Sequence, residues 1–467
     1  MNFRLFSSLL SAGLLTACAV GPDYQRPALP VPADYPEGSG GARPVSAQWW
    51  KEFGDPRLDE LVAVALSGNA DLRLAAARVE EAAGGLQEVA GAQYPQVNAT
   101  AAASQNQVSL NGYSPVTSFA GRDRVSFQAG LSTAFELDFW GRLRRASEAA
   151  RAQLLGAQEA RQQVELGVVS SVVRAYALVL SADVQCASAE SVRAVREEEA
   201  RIISERLHLG AAGVNEQAQA QVLLSAAVAA SSDARRARAQ AEHLLGFLLG
   251  QPGFRLPAAE AGVPLSPAAP AVGLPSDLLR LRPDVLAAEQ ALVAANARIG
   301  YAKAAYFPSF TLTGALGSES RQLGELFGTG TGTSSAGLNV SVPLLDFGRT
   351  SARVRQAVAV QHQAAAAYEK TVLTAFREVR DALADVRETA LAMQAAERRE
   401  ESAGQAYRIA EERRRQGQLS PFEFLTAQRL LAESRAAVAR VRLDRVGAQV
   451  DLIKALGGSR VDQVAAR

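Results

Sequence analysis

The chain has 467 residues, 48% of them hydrophobic and 21% charged, with a net charge of +1. That balance offers no basic field for nucleic acid and no acidic tail. Its two cysteines, Cys18 and Cys186, are too few for a disulfide framework.

Residues 1–17 read as a signal peptide. Arg4 supplies the positive end, Leu5 to Leu15 the short apolar core, and Leu15-Thr16-Ala17 the small-residue cleavage region. Cys18 follows at once, so Leu15-Thr16-Ala17-Cys18 has the form of a bacterial lipobox. The other reading is an ordinary signal that happens to precede a cysteine. Cleavage before Cys18 would free its thiol and amine for acylation, and more than one acyl chain gives a stable anchor. This covalent lipid is the sole attached group expected, with no cofactor. Ala19, rather than an aspartate, resembles lipoproteins sorted to the outer membrane. No other stretch offers ~18 consecutive apolar residues, so no transmembrane helix is expected.

Residues 18–57, rich in proline, glycine and aromatics, read as an extended arm that Trp49 and Trp50 pack onto helices. From Pro56 to Ala92 the pattern is one helix, with Leu58, Leu61, Val62 and Leu66 on a shared face. Tyr94-Pro95 ends it, because proline lacks a donor and disfavours helix at the preceding residue. A hairpin over about 95–138 follows, in which Val125, Phe127, Leu131 and Phe135 alternate with Ser126, Gln128, Ser132 and Glu136. The long helix 142–209 contains no proline and would span roughly 100 Å at ~1.5 Å per residue. Cys186 falls within it and reads as a small buried residue. A turn at 210–215, opened by Gly210, leads to a return helix from Val214 to about Leu249. Residues 250–276 form a Pro/Gly-rich linker.

Everything then recurs. Residues 277–456 offer a helix to Ala305, a hairpin over about 308–346, a long helix 349–416, a turn at 417–420 and a return helix. Residues 457–467 are a tail. Phe307-Pro308-Ser309-Phe310-Thr311 answers Tyr94-Pro95-Gln96-Val97-Asn98, and Asp346-Phe347-Gly348-Arg349 answers Asp138-Phe139-Trp140-Gly141-Arg142. This is a two-copy internal repeat. Along the second long helix Val379, Leu383, Val386, Ala390 and Met393 keep coiled-coil spacing. In the second hairpin Leu338, Val340, Val342 and Leu344 alternate with Asn339, Ser341 and Pro343. Gly328-Thr329-Gly330-Thr331-Gly332 lacks a lysine and opens no helix, so it reads as a flexible extracellular loop and not a phosphate cradle.

Four strands with one apolar and one polar face suit either a soluble two-layer sheet or a membrane barrel. A tilted strand of ~9–11 residues crosses a bilayer. Lipid requires closure, and the smallest ordinary barrels have eight strands, so several chains would have to share one. On this reading Val125, Phe127, Leu131, Phe135, Leu338, Val340 and Val342 face lipid, and Phe139, Trp140 and Phe347 form an interfacial aromatic girdle. The fold class expected is mainly α, with long helices of coiled-coil spacing plus four β-strands per chain contributed to a shared transmembrane barrel. A coiled-coil lipoprotein that forms no channel is the rival.

The residues resemble TolC-type outer-membrane factors, and among them the NodT lipoprotein branch, over essentially the whole mature chain. The marks are Cys18-Ala19-Val20-Gly21-Pro22-Asp23-Tyr24-Gln25-Arg26-Pro27, Trp49-Trp50 with Phe53-Gly54-Asp55-Pro56-Arg57-Leu58, the paired landmarks above, and both Gly-centred turns followed by Ala-Gln. The resemblance implies a homotrimer with a twelve-stranded barrel in outer-membrane lipid and a periplasmic helical tunnel, the long helices forming a coiled-coil barrel. It implies a periplasmic membrane-fusion adaptor and an inner-membrane efflux pump, often of the resistance–nodulation–division class, as partners. The channel would be passive and would pass small toxic compounds; protein export through the same kind of tunnel is the alternative.

At the two helical turns, Gly210 and Gly417 stop the long helices. Ser420 reads as an N-cap, Pro421 as the first helical residue and Glu423 as the capping-box acid. Glu216 and Glu423 each lie six residues after their glycine. They are helix-capping acids on the plain reading. By the resemblance they are aperture residues too, with Thr426 where some members carry a second acid.

No catalytic set is visible. His208, His243 and His362 lack paired metal-ligand spacing, and Met393 is the only methionine beyond Met1, which argues against a methionine-lined route for soft metal ions.

Overall fold

The structure is a computed structural model that describes residues 19–29, 46–109, 122–257, 265 and 278–458. Expectations for the signal, Cys18, most of the linker and the C-terminal tail lie outside the described residues.

After a short 3-10 helix, Trp49–Phe53, the elements are α1 (Pro56–Gly68), α2 (Ala70–Gly91), β1 (Gln96–Gln107), β2 (Asp123–Leu137), α3 (Arg142–His208) and α4 (Val214–Leu248). There follow α5 (Leu278–Leu281), α6 (Pro283–Ala304), β3 (Ser309–Ser320), β4 (Gly332–Ser341), α7 (Arg349–Arg415) and α8 (Pro421–Ala455). The repeat is plain in the lengths. The first and second copies match at 22 residues for α2 and α6, 67 for α3 and α7, and 35 for α4 and α8.

Two compact units are present. One comprises Met1–Ala28, Arg78–Ala157 and Ala288–Tyr368, and contains the sheet. Its strands run antiparallel in the order β1-β2-β3-β4. The other comprises Leu29–Ala77, Gln158–Ala287 and Glu369–Arg467. Its core gathers Trp49, Leu58, Val62, Val172, Val173, Tyr176, Val179, Leu245 and Val450, all nearly inaccessible to water. The expectation for Trp49 and Trp50 is met there, Trp50 packing at the edge of the same cluster. The Tyr176 hydroxyl donates to Asp55 Oδ2 at 2.7 Å, and Asp55 Oδ1 accepts from Arg57 N, so one carboxylate caps α1 and ties it to α3.

Several expectations need correction. The helix read from Pro56 to Ala92 is two helices, broken at Asn69 (φ −66°, ψ 134°). Asn69 Oδ1 accepts from Asp71 N and Leu72 N, and Nδ2 donates to Leu248 O at 2.8 Å. A short polar side chain that can cap a new helix outcompetes continuation of the old one. Asn69→Ala is expected to lower stability by about 1–3 kcal/mol in chemical denaturation, through the lost cap and an unpaired buried carbonyl. An unchanged midpoint would show that the break does not depend on the amide.

The fourth strand stops at Ser341. Val342, Pro343 and Leu344 lie past its end, because proline has no N–H to continue a ladder. The glycine-rich segment 328–332 is not a bare flexible connection. The Thr331 hydroxyl lies 2.7 Å from Ser318 Oγ and within hydrogen-bonding distance of Leu326 O and Gly328 O, while Leu326 is buried. Cys186 is half-buried and free, and burial pushes its thiol pKa up. Among the described residues one helix, α3, does contain a window long and apolar enough to cross a membrane. That window coincides with the core residues Val168, Val169, Val172, Val173 and Val179, so packing within the second unit accounts for its hydropathy.

Candidate functional site

The strand register assigns every strand residue to a face, because residues directly opposite across an antiparallel pair share one. Phe135 pairs with Leu312 and Leu312 with Leu338; Leu137 pairs with Phe310 and Phe310 with Val340. Leu131 pairs with Leu316 and with Ala99, and Phe127 with Ala103. One face of all four strands therefore carries Val97, Val125, Phe127, Leu131, Phe135, Leu312, Leu316, Leu338 and Val340. No described residue covers it: Leu316 is 67% exposed and Leu338 58%. The opposite face carries Ser126, Gln128, Ser132, Glu136, Thr311, Glu319 and Asn339. Val342 lies one residue beyond the fourth strand.

Among the described residues nothing pairs with either sheet edge. Every residue of β1 and of β4 is exposed. Such edges present unpaired N–H and C=O groups, which water tolerates and hydrocarbon does not.

At the strand base, Phe139 meets Phe310 edge-on with ring centroids 5.1 Å apart. Trp140 stacks on Phe307 at 4.6 Å and donates its indole N–H to Pro308 O at 2.8 Å. Phe347 instead stands 91% exposed with φ 49°, in the left-handed region that only glycine enters freely. The three expected girdle aromatics are thus two packed and one bare.

The segment after Cys18 is clamped to the same unit. Val20 N donates to Trp140 O, and the buried Arg145 reaches Val20 O, Asp23 Oδ1 (2.8 Å) and Glu148 Oε2 (2.8 Å). Asn296 Nδ2 donates to Pro22 O. Glu289 accepts from the Tyr24 hydroxyl and, at both oxygens, from Arg26. Burial, then the Glu289 charge, raises the Tyr24 phenol well above its ordinary pKa, so it stays a donor. Gly300 is where the arm comes closest, and a β-carbon there would lie 2.5 Å from Val20 O.

Both long helices end in the same turn. Gly210 (φ 71°) donates to Leu207 O and Ala211 to Arg206 O; Gly417 (φ 70°) donates to Arg414 O and Gln418 to Arg413 O. These are paired Schellman closures, which require the left-handed residue that glycine supplies. At the start of α8, Ser420 Oγ accepts from Glu423 N while Glu423 Oε2 accepts from Ser420 N, with Pro421 at the first helical position. The first turn has Gly213 at its N-cap, so Glu216 has no side-chain cap to reciprocate. Glu216, Glu423 and Thr426 are all exposed, and the Thr426 hydroxyl is turned back to Phe422 O.

The Ser420 backbone N–H, then its hydroxyl, hold the Glu423 carboxyl below the usual carboxylate range. A depressed native pKa contributes stability that is complete above the unfolded-state value and disappears as acid protonates the native carboxylate. The cap at α8 is thus expected intact at neutral pH and lost on acidification. Ser420→Ala should cost about 0.5–2 kcal/mol in thermal unfolding at neutral pH, and less at pH 3. An equal loss at both pH values would detach the cap from the carboxylate.

The family model described as outer membrane efflux protein matches residues 61–251 and 274–458. This chain belongs to that family. Outer membrane efflux proteins related to it include the probable efflux pump outer membrane protein TtgC of Pseudomonas putida, 34% identical over 99% of this chain and 97% of TtgC. The cation efflux system protein CusC of Escherichia coli is 33% identical over 95% of this chain and 96% of CusC. A solved structure of CusC superposes with a TM-score of 0.79 at 31% identity, covering 95% of this chain and all of that one. The probable outer membrane lipoprotein SilC of Salmonella typhimurium is 32% identical over 97% of this chain and 98% of its own. The chain is accordingly an outer-membrane efflux component, and the resemblance read from its motifs is correct.

The arm motif itself gives no sign of what its polar residues hold. Partners such as Glu289, Asn296 and Arg145 lie over a hundred residues away and carry no local signal. Gly300, a glycine inside a helix, was the available clue. Among the described residues no group of three or more His, Cys, Asp or Glu is placed to hold a metal ion.

Proposed function

We propose that the protein is the exit duct of a tripartite efflux system, in which three copies close one barrel through their open strand edges. The sheet that carries this reading has an uncovered apolar face and two unpaired edges. Its order makes β1 and β4 antiparallel, so β4 of one copy can pair with β1 of the next and every added copy continues the ladder correctly. Three copies give the twelve strands that the family resemblance implies. The apolar row from Phe127 to Val340 then faces lipid and the polar row faces a water-filled lumen.

The channel is passive. Energy comes from an inner-membrane pump, of the resistance–nodulation–division class, joined through a periplasmic adaptor, and the cargo is small toxic compounds; the name TtgC carries supports an efflux assignment. An acyl anchor on Cys18 complements the barrel, in keeping with the lipoprotein name of SilC. The clamped arm supports this, since it fixes the chain from Ala19 onward beside the strand base. Radioactive palmitate should enter the wild type and not Cys18→Ala; equal labelling of both would remove the anchor.

Glu216 and Glu423 ring the aperture on this reading, beyond their capping work. Glu216→Gln with Glu423→Gln should reduce cation selectivity and alter closed-state conductance in single-channel recordings. Unchanged recordings with a small loss of stability would leave capping as their whole role. The function itself is tested by deletion: cells lacking the protein should accumulate ethidium and lose resistance to it, with restoration by the intact gene. Normal dye efflux accompanied by a missing secreted protein would replace efflux by export.

A further inference from the structure

We propose that each copy carries a binding site for organic anions at the strand base, built from Arg142, Arg298 and Arg353. The site is a concavity of about 760 Å³ lined by α2, α3, α6 and α7 within the sheet-bearing unit. That volume falls in the range of small-molecule sites, roughly 300–1,000 Å³. Its charged lining residues are these three arginines, and no carboxylate lines it. Only Arg142 is neutralised, by hydrogen bonds to both oxygens of Glu136 at 2.9 and 2.5 Å. Arg298 and Arg353 are exposed and have no carboxylate partner among the described residues. Two uncompensated guanidinium groups at a pocket with apolar alanine walls create a field that draws in anions, and their fork geometry suits carboxylate or sulfonate.

The remaining lining defines the rest of the ligand. Tyr301 lies beneath the Arg142 guanidinium, 5.5 Å from carbon to ring centroid, and is itself 43% exposed. It offers an aromatic surface for an apolar body attached to the anionic group. Gln153 and Gln356 add neutral donors. The ligand class is therefore an aromatic or amphiphilic organic anion, not a bare inorganic ion.

The side of the sheet on which the pocket opens follows from two contacts. Glu136 belongs to the polar row of β2, so its pairing with Arg142 joins the pocket to that row and not to the row of Phe127 and Phe135. On α6, the arm engages Glu289, Asn296 and Gly300, whereas at ~100° per residue Arg298 falls on the opposite face and Tyr301 about a third of a turn away from the arm. If the polar row faces the lumen, which rests on the channel reading above, the site lies on the path of exported compounds. It would then select for anionic cargo.

The test is calorimetric binding of naphthalene-1,5-disulfonate to the purified full-length protein in detergent at low salt. Binding should be detected for the wild type and weaken with rising salt. It should fall at least about tenfold in Arg298→Gln/Arg353→Gln, since each lost charge-assisted bond weakens binding by roughly that factor. Arg408→Gln, in the other unit, should bind as the wild type does. Circular dichroism and gel filtration confirm that the exposed glutamines leave the fold intact. No wild-type binding, or equal binding by the double variant, overturns the site. Inorganic phosphate binding as tightly as the disulfonate overturns the assigned ligand class. Conductance in liposomes is measured separately, so binding without conductance would remove the channel reading and leave the anion site standing.

Discussion

Arginine at Phe127 or at Val340 is expected to block assembly into the outer membrane, while arginine at Gln128 or Ser341 is tolerated. Each pair differs by a single residue and by opposite faces, because strand side chains alternate. Phe127 and Val340 belong to the uncovered apolar row, whose members are tied together by the pairings through Ala103, Phe310, Leu312 and Leu338. A charge on a lipid-facing strand position costs about 2–4 kcal/mol near the bilayer midplane. The same side chain in a water-filled lumen keeps its hydration and incurs little of that cost. Heat-modifiable mobility on gels of purified outer membranes reads the folded fraction directly. Equal loss for both faces would mean that the sheet does not meet lipid on one side only.

Gly300→Ala is expected to destabilise the protein by about 2–4 kcal/mol, reversing the usual sign. In a helix interior, glycine to alanine normally stabilises by roughly 0.5–1 kcal/mol. Here the new β-carbon would meet Val20 O at 2.5 Å and two Arg145 side-chain atoms at 2.9 and 3.0 Å. The backbone of the arm must lift, and three links weaken together: Val20 N to Trp140 O, Arg145 to Asp23, and Asn296 to Pro22 O. Arg145 keeps Glu148 but loses one of its two carboxylate partners, and weakening an ion pair of a buried guanidinium is among the larger single losses a protein sustains. Faster chymotrypsin cleavage after Tyr24 and a lowered melting temperature are the readouts. A stabilised variant would show that the arm does not sit against α6.

How much of this was legible beforehand depended on whether the cause was local. The long helices were readable because a proline-free run with heptad spacing has few alternatives, and Gly210 and Gly417 marked their ends to within two residues. The strand faces were readable because alternation needs only neighbouring residues. The break at Asn69 was missed because its decisive partner, Leu248 O, is remote in sequence, and the helical pattern continues on both sides. The end of β4 was misjudged at Pro343, whose missing donor outweighed an unbroken alternation of apolar residues. The motif groups Phe347 with Phe139 and Trp140, yet among the described residues it has no aromatic partner, since its backbone turns into the left-handed region before Gly348. The arm clamp and the arginine pocket depend on contacts between segments far apart in the chain, which no short window contains.

Whether copies share one barrel is tested most directly by joining the edges. In a Cys186→Ser background, pairs of cysteines placed one on β1, at Ala99, Ala101 or Ala103, and one on β4, at Ala336, would be oxidised in intact outer membranes. Within one chain these edges are separated by β2 and β3, so a disulfide between them forms only across neighbouring copies. The account predicts a non-reducing gel ladder of dimer and trimer from at least one pair, ending at three chains and collapsing on reduction. Folded, membrane-inserted protein that remains monomeric for every pair would contradict it.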